Sequence, residues 1–177
     1  MSAQRSTSSD TSPLPRAQAA ELSRVYQEGL VAGLIGAATI AIWFFILDLF
    51  TLRPLYTPTV LGTALFRQGE GLASSESLQA SLELVLMFTF VHCLVFIILG
   101  VVASRLLILA EGNPNLGFGI ILFFVVFMFG FLVMAMLFAE PVLRALTWPA
   151  ILIGNLLAAG VMGAFFWKRH PNLTIWP

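Results

Sequence analysis

Four apolar stretches, residues 29–47, 84–104, 116–139 and 149–167, contain no Lys, Arg, Asp or Glu. A hydrocarbon core about 30 Å thick is crossed by about 20 helical residues at 1.5 Å rise each, so every stretch is long enough to span a bilayer. Hydrophobic residues make up 59% of the chain and charged residues 10%, against roughly 25% charged in soluble domains. A soluble domain is excluded on that balance, and a net charge of +0 gives no surface for nucleic acid. The lone cysteine, Cys93, falls inside the second stretch. There it can neither form a staple nor complete a cysteine metal site, and it reads as a small core residue.

The expected fold is all-α, a bundle of four transmembrane helices with spans near 29–51, 82–108, 116–139 and 149–167. Residues 1–17 read as a flexible polar tail, 18–170 as one transmembrane domain and 171–177 as a C-terminal tail. No apolar segment follows a basic start, so insertion is expected to use the first helix itself. Between residues 17 and 28, Leu22, Val25 and Tyr26 recur on one side, which predicts an interfacial helix running into the first span. In the first loop, Thr57 reads as an N-cap with Pro58 at the first helical position and Gly69 as a stop. The enclosed segment places Val60, Leu61, Ala64 and Leu65 on one face, predicting a short amphipathic helix. Gly112-Asn113-Pro114-Asn115 and Glu140-Pro141 mark the turns on either side of the third stretch.

With four spans, Arg5, Arg16, Arg24, Arg105, Lys168 and Arg169 fall on one side, and Arg53, Arg67 and Arg144 on the other. The positive-inside rule then expects both termini in the cytoplasm. Trp148 and Trp167 bracket the last span as interfacial anchors.

Small residues repeat at Gly33, Ala37 and Ala41 in the first span, and at Gly154 with Ala158 and Gly160 with Ala164 in the last. These are steps where a neighbouring backbone approaches closely, whether from this chain or from a partner. Asp48 lies seven residues beyond Ala41, on the same face, with Arg53 or Arg144 within reach as a partner. It reads either as an ion or proton site or as an interfacial ion pair that fixes helix register. Together with Glu83 and Glu140 these residues predict a polar ring at one membrane face. His92 is the one ionisable group deep in the second span, sharing a face with Thr89, Phe96, Gly100 and Ala103. Its imidazole could bond a carbonyl on another helix, or serve as the single axial ligand of a chlorin. Seven Phe residues between Phe118 and Phe138 surround the third span. They suit lipid contact or a flat apolar cofactor such as carotenoid, quinone or chlorin. No span carries two deep ionisable residues at helical spacing, and no phosphate-binding loop, zinc motif or nucleophile triad is present.

The runs Gly33–Ala38, Ile42–Asp48 and Arg53–Gly62 resemble the first-helix and first-loop signature of a set of small, uncharacterised bacterial four-helix membrane proteins. The resemblance covers about a fifth of the chain. It implies a bacterial inner-membrane protein and groups Trp43, Asp48, Arg53 and Pro54 as a unit without an assigned activity.

These readings converge on a non-catalytic membrane subunit, in lipid, packed within or beside a larger complex of other integral membrane subunits or of its own copies. An electron-transfer or photosynthetic assembly is the expected setting. The competing expectations are a small oligomeric transporter or channel using Asp48 or His92, and a pigment- or haem-binding protein using His92.

Overall fold

The computed structural model describes residues 14–68, 72, 78–111 and 147–171. Among them the chain forms four helices and no strand: α1 (Leu14–Phe50), α2 (Tyr56–Phe66), α3 (Leu82–Glu111) and α4 (Trp148–Arg169). Three of them hold segments long and apolar enough to cross a membrane, Ala19–Phe50, Leu82–Glu111 and Trp148–Arg169. A helix bonds its own backbone groups, which is what an apolar solvent demands. The third apolar stretch, 116–139, and the turns that flank it lie outside the described residues.

The 37 residues of α1 extend about 55 Å at 1.5 Å each. Its charge-free part, 29–47, covers only about 28 Å, so the turns carrying Arg16, Glu21, Arg24 and Glu28 project beyond the hydrocarbon. The expected interfacial helix and first span are therefore one unbroken helix. Residues 14–17, assigned from sequence to the flexible tail, are its first turn. Pro15 is tolerated there because the first-turn N–H groups have no intrahelical partner.

At its other end α1 closes with a Schellman turn. Arg53 N–H donates to the Asp48 carbonyl at 2.9 Å and Leu52 N–H to that of Leu49 at 3.1 Å. Leu52 occupies the left-handed position, φ 57°, where glycine is usual. Leu55, φ 66°, repeats that conformation as the N-cap of α2. Thr57 is thus inside the first turn of α2 and is not its cap, and the helix ends at Phe66, before Gly69.

Of the face expected for α2, Val60 is buried with Leu61 and Ala64 packed half-buried against it, but Leu65 is not part of the buried side. Thr57, Thr59, Val60, Gly62 and Thr63 point inward, while Leu65 and Phe66 are exposed. The Thr59 and Thr63 hydroxyls donate to the carbonyls of Leu55 and Thr59, at 2.7 and 2.8 Å, so they enter the protein already bonded. A large apolar side chain turned toward lipid costs nothing comparable to its exposure to water. Gly62 lets α2 settle on α3, since a Cβ there would stand 2.8 Å from the Leu84 carbonyl oxygen.

The bundle is organised by a glycine seam between α1 and α3. A Cβ on Gly100 would strike the backbone of Gly29 and Gly33, and one on Gly33 would strike that of Phe96 and Ile97. Main chains therefore touch without intervening side chains, which gains dispersion contact in a solvent that offers no hydrophobic drive between helices. These pairings make α3 antiparallel to α1. On another side of α1, Gly36 faces Met162, and Gly154 faces Trp43 and Ile40, so α4 is also antiparallel to α1. It follows that α3 and α4 run in the same direction.

Of the predicted small-residue steps, Gly33, Ala37, Gly154 and Ala158 are buried. Ala41, Gly160 and Ala164 are exposed, and among the described residues no atom lies within 4 Å of a Cβ built on Gly160. Beyond Ala37 the larger Trp43 and Phe44 take over the contacts of α1, so a strict four-residue repeat stops describing the buried face.

Candidate functional site

Polar side chains gather at three depths. At the Asp48 end, the Asp48 carboxylate is buried, 3% exposed. It accepts from the Thr57 backbone N–H at 2.9 Å and the Thr57 hydroxyl at 2.6 Å. Amides in the first turn of a helix have no partner within it, so an acidic side chain from the preceding helix completes that turn and suits its positive pole. Asp48 thus takes neutral donors from α2 and forms no ion pair with Arg53, one of the two partners expected from sequence. The Arg53 guanidinium lies over the Tyr56 ring at 5.4 Å, and Arg144 is outside the described residues. Glu83 is exposed in the first turn of α3, and Glu140 is likewise outside the described residues. The predicted ring is therefore not one assembled unit among the described residues.

At mid-depth, His92 is half-buried and donates from Nε2 to the Ala37 carbonyl of α1 at 3.3 Å. Its ring stacks on Phe88, with centroids 5.6 Å apart, and tilts against Phe96 at 4.8 Å. The aromatic column is placed by the four-residue spacing along α3. With Nε2 on a carbonyl, only Nδ1 is left to hold a ligand. Thr89, predicted to share this face, is exposed and donates to the Val85 carbonyl at 2.7 Å. Slightly nearer the Asp48 end, Trp43 Nε1 donates to the Ala150 carbonyl at 2.9 Å, its ring lying over Gly154.

The Glu28 end carries the densest polar arrangement of the described residues. His170, the C-cap of α4, is 1% exposed. Its Nδ1 lies 2.8 Å from Glu111 Oε1 on α3 and its Nε2 3.2 Å from Glu28 Oε2 on α1. Arg24 Nε donates to the other Glu28 oxygen at 2.9 Å, and its guanidinium reaches the Arg169 carbonyl at 3.5 Å. One imidazole therefore joins three helices. Because its nitrogens point in opposite directions, the two carboxylates cannot converge with it on one ion. Among the described residues no cluster of three such side chains is placed to hold a metal.

His170 was not among the candidate residues read from the sequence, since it lies past the end of the last apolar stretch. The useful comparison was with the other helix ends. The four spans expected from sequence would bring the start of the first, the end of the second and the end of the fourth to one face, and Glu28, Glu111 and His170 lie at those places in the sequence. Ser104, on the same α3 face as Gly100 and Glu111, was also missed; its Oγ is buried without a hydrogen-bond partner among the described residues.

Compared with known proteins, the chain matches no family model, no curated protein and no solved structure.

Proposed function

We propose that the protein is a non-catalytic integral membrane subunit that packs within or beside a larger membrane complex. The observation that carries this reading is the use made of the polar groups within the apolar helices. Asp48 completes the first turn of α2, His92 bonds a carbonyl of α1 and Trp43 bonds one of α4. Each joins one element of the chain to another, as interhelical hydrogen bonds do in bundles whose task is packing.

The same reading has four spans. Because α3 and α4 run in the same direction, the chain leaves α3 at the Glu28 end and enters α4 at the Asp48 end. Residues 112–146 include 24 apolar residues without charge, 116–139, enough to cross a core of about 30 Å. Arg24, Arg105, Lys168 and Arg169 stand at the Glu28 end, and Arg53 and Arg67 at the other. That division supports a cytoplasmic Glu28 end, with both termini on that side. A bacterial inner membrane is the setting suggested by the Gly33–Gly62 resemblance.

Gentle extraction in native lipid followed by sizing and identification of bound subunits tests the proposal. Co-migration with a larger assembly is expected, and visible absorbance in that assembly would mark it as a redox or photosynthetic one. A folded protein that migrates alone overturns the subunit reading. So does ion flux in reconstituted vesicles that disappears in Asp48→Asn or His92→Ala.

A further inference from the structure

We propose that Glu28, His170 and Glu111 form a proton-binding site that clamps α1, α3 and α4 together at one end of the bundle. This inference is independent of the subunit reading. Its basis is a count of protons against acceptors. A neutral imidazole has one N–H and one lone pair, whereas His170 has a carboxylate oxygen within hydrogen-bond distance of each ring nitrogen. Two ionised carboxylates around a neutral ring would oppose a carboxylate lone pair to a nitrogen lone pair at 2.8 or 3.2 Å. With the ring 1% exposed, water cannot relieve that contact, and an unmet buried polar group is costly.

One added proton removes the conflict. On the ring it gives an imidazolium donating in both directions; on a carboxyl it gives an acid donating to the free ring nitrogen. Either way the site holds one proton more than its neutral ring and ionised carboxylates carry. Glu28 is held by two donors, since Arg24 occupies its second oxygen. Glu111 is the more open of the two acids, its side chain 29% exposed against 7% for Glu28, and it is the route by which the proton exchanges with water. Among the described residues the other charged groups nearby are Glu21 and Arg105, 3.9 Å apart, and Lys168 and Arg169 in the last turn of α4. Bound, the proton closes contacts across three helices; as pH rises and it leaves, those contacts turn repulsive and the clamp loosens.

The chain has only two histidines, so the full-length protein labelled with ¹⁵N-histidine and ¹³C-glutamate and placed in lipid nanodiscs gives a readable test. At pH 7, His170 is expected to show two N–H nitrogens, or one together with a protonated Glu28 or Glu111 carboxyl. One N–H nitrogen with both carboxyls ionised at every pH from 5 to 9 would falsify the proposal. A second readout follows opening. In a Cys93→Ser, Ala110→Cys protein, thiol labelling relative to the detergent-unfolded chain is expected to rise about ten-fold as the proton leaves. Adding Glu111→Gln should abolish that rise, because the carboxamide donates to the neutral ring without the extra proton. Equal pH responses with and without Glu111→Gln overturn the clamp.

Discussion

The two ends of the bundle are closed by different chemistry. At the Asp48 end the contacts run between a carboxylate and neutral donors only nine residues away, and they form once α1 turns into α2. At the Glu28 end the partners of His170 are 59 and 142 residues distant, and they meet only when three helices are in place. Local capping can tolerate a loosened bundle, whereas the charged junction cannot exist without it. The first end should therefore report on the turn, and the second on the assembled bundle.

The largest effect is expected from His170→Ala, which leaves Glu28 buried with one donor removed. A loss of about 3 kcal/mol, as for breaking a buried charge pair, should appear in reversible unfolding in mixed micelles. Most of that loss should be shared with Glu28→Ala in a double-mutant cycle, and full additivity would show that the junction is not one unit. Gly100→Ala attacks the seam between the ends by placing a methyl group against the backbone of Gly29 and Gly33. A cost of about 2 kcal/mol is expected from overpacking, with amide exchange accelerated at the Glu28 end and little changed in α2.

Asp48→Ala should cost about 2 kcal/mol by orphaning the Thr57 donors, and Asp48→Asn about half as much because a carbonyl oxygen remains. Amide exchange at Thr57 is the direct check, and equal costs for the two variants would contradict an acceptor role. The smallest effect has the opposite sign. Leu52→Gly relieves a left-handed side chain and should stabilise by about 0.5 kcal/mol, after the greater freedom of glycine in the unfolded chain is deducted. A melting temperature that falls would show that the exposed Leu52 side chain makes contacts worth more than its backbone strain.

Helix content was legible in the sequence because charge-free runs of this length have one solution in lipid. Three of the four appear among the described residues, the second and the last at nearly the predicted limits and the first beginning at Ala19 where residue 29 was expected. The loop helix was legible as an element and, at Val60, Leu61 and Ala64, in part of its orientation, but not at Leu65. Burying Leu65 is the rule for a helix bordered by water, and α2 instead turns its bonded threonines inward. In α1, Gly33 and Ala37 are buried, but the four-residue repeat led on to exposed Ala41 and passed over Gly29 and Gly36. A stripe drawn on one helix does not know where its partner's glycine, Gly100, will fall. The ends resisted for a related reason. Asp48 was matched to Arg53 or Arg144 because opposite charges are conspicuous in a sequence, whereas the free amides of a following helix are not. His170 lies past the last apolar stretch, where a search for ionisable groups deep in the spans does not reach.

The seam between Gly29, Gly33 and Gly100 also bears on how the protein is made. Its partners lie in the first two described membrane-length helices to leave the ribosome, so α1 and α3 can pair as a hairpin, with α2 folded against it, before α4 has been synthesised. The last helix then docks onto a finished surface, offering Gly154 to Trp43 at one end and His170 to two waiting carboxylates at the other. Biogenesis thus ends with the junction that reads the proton, and that junction doubles as a late checkpoint on the fold.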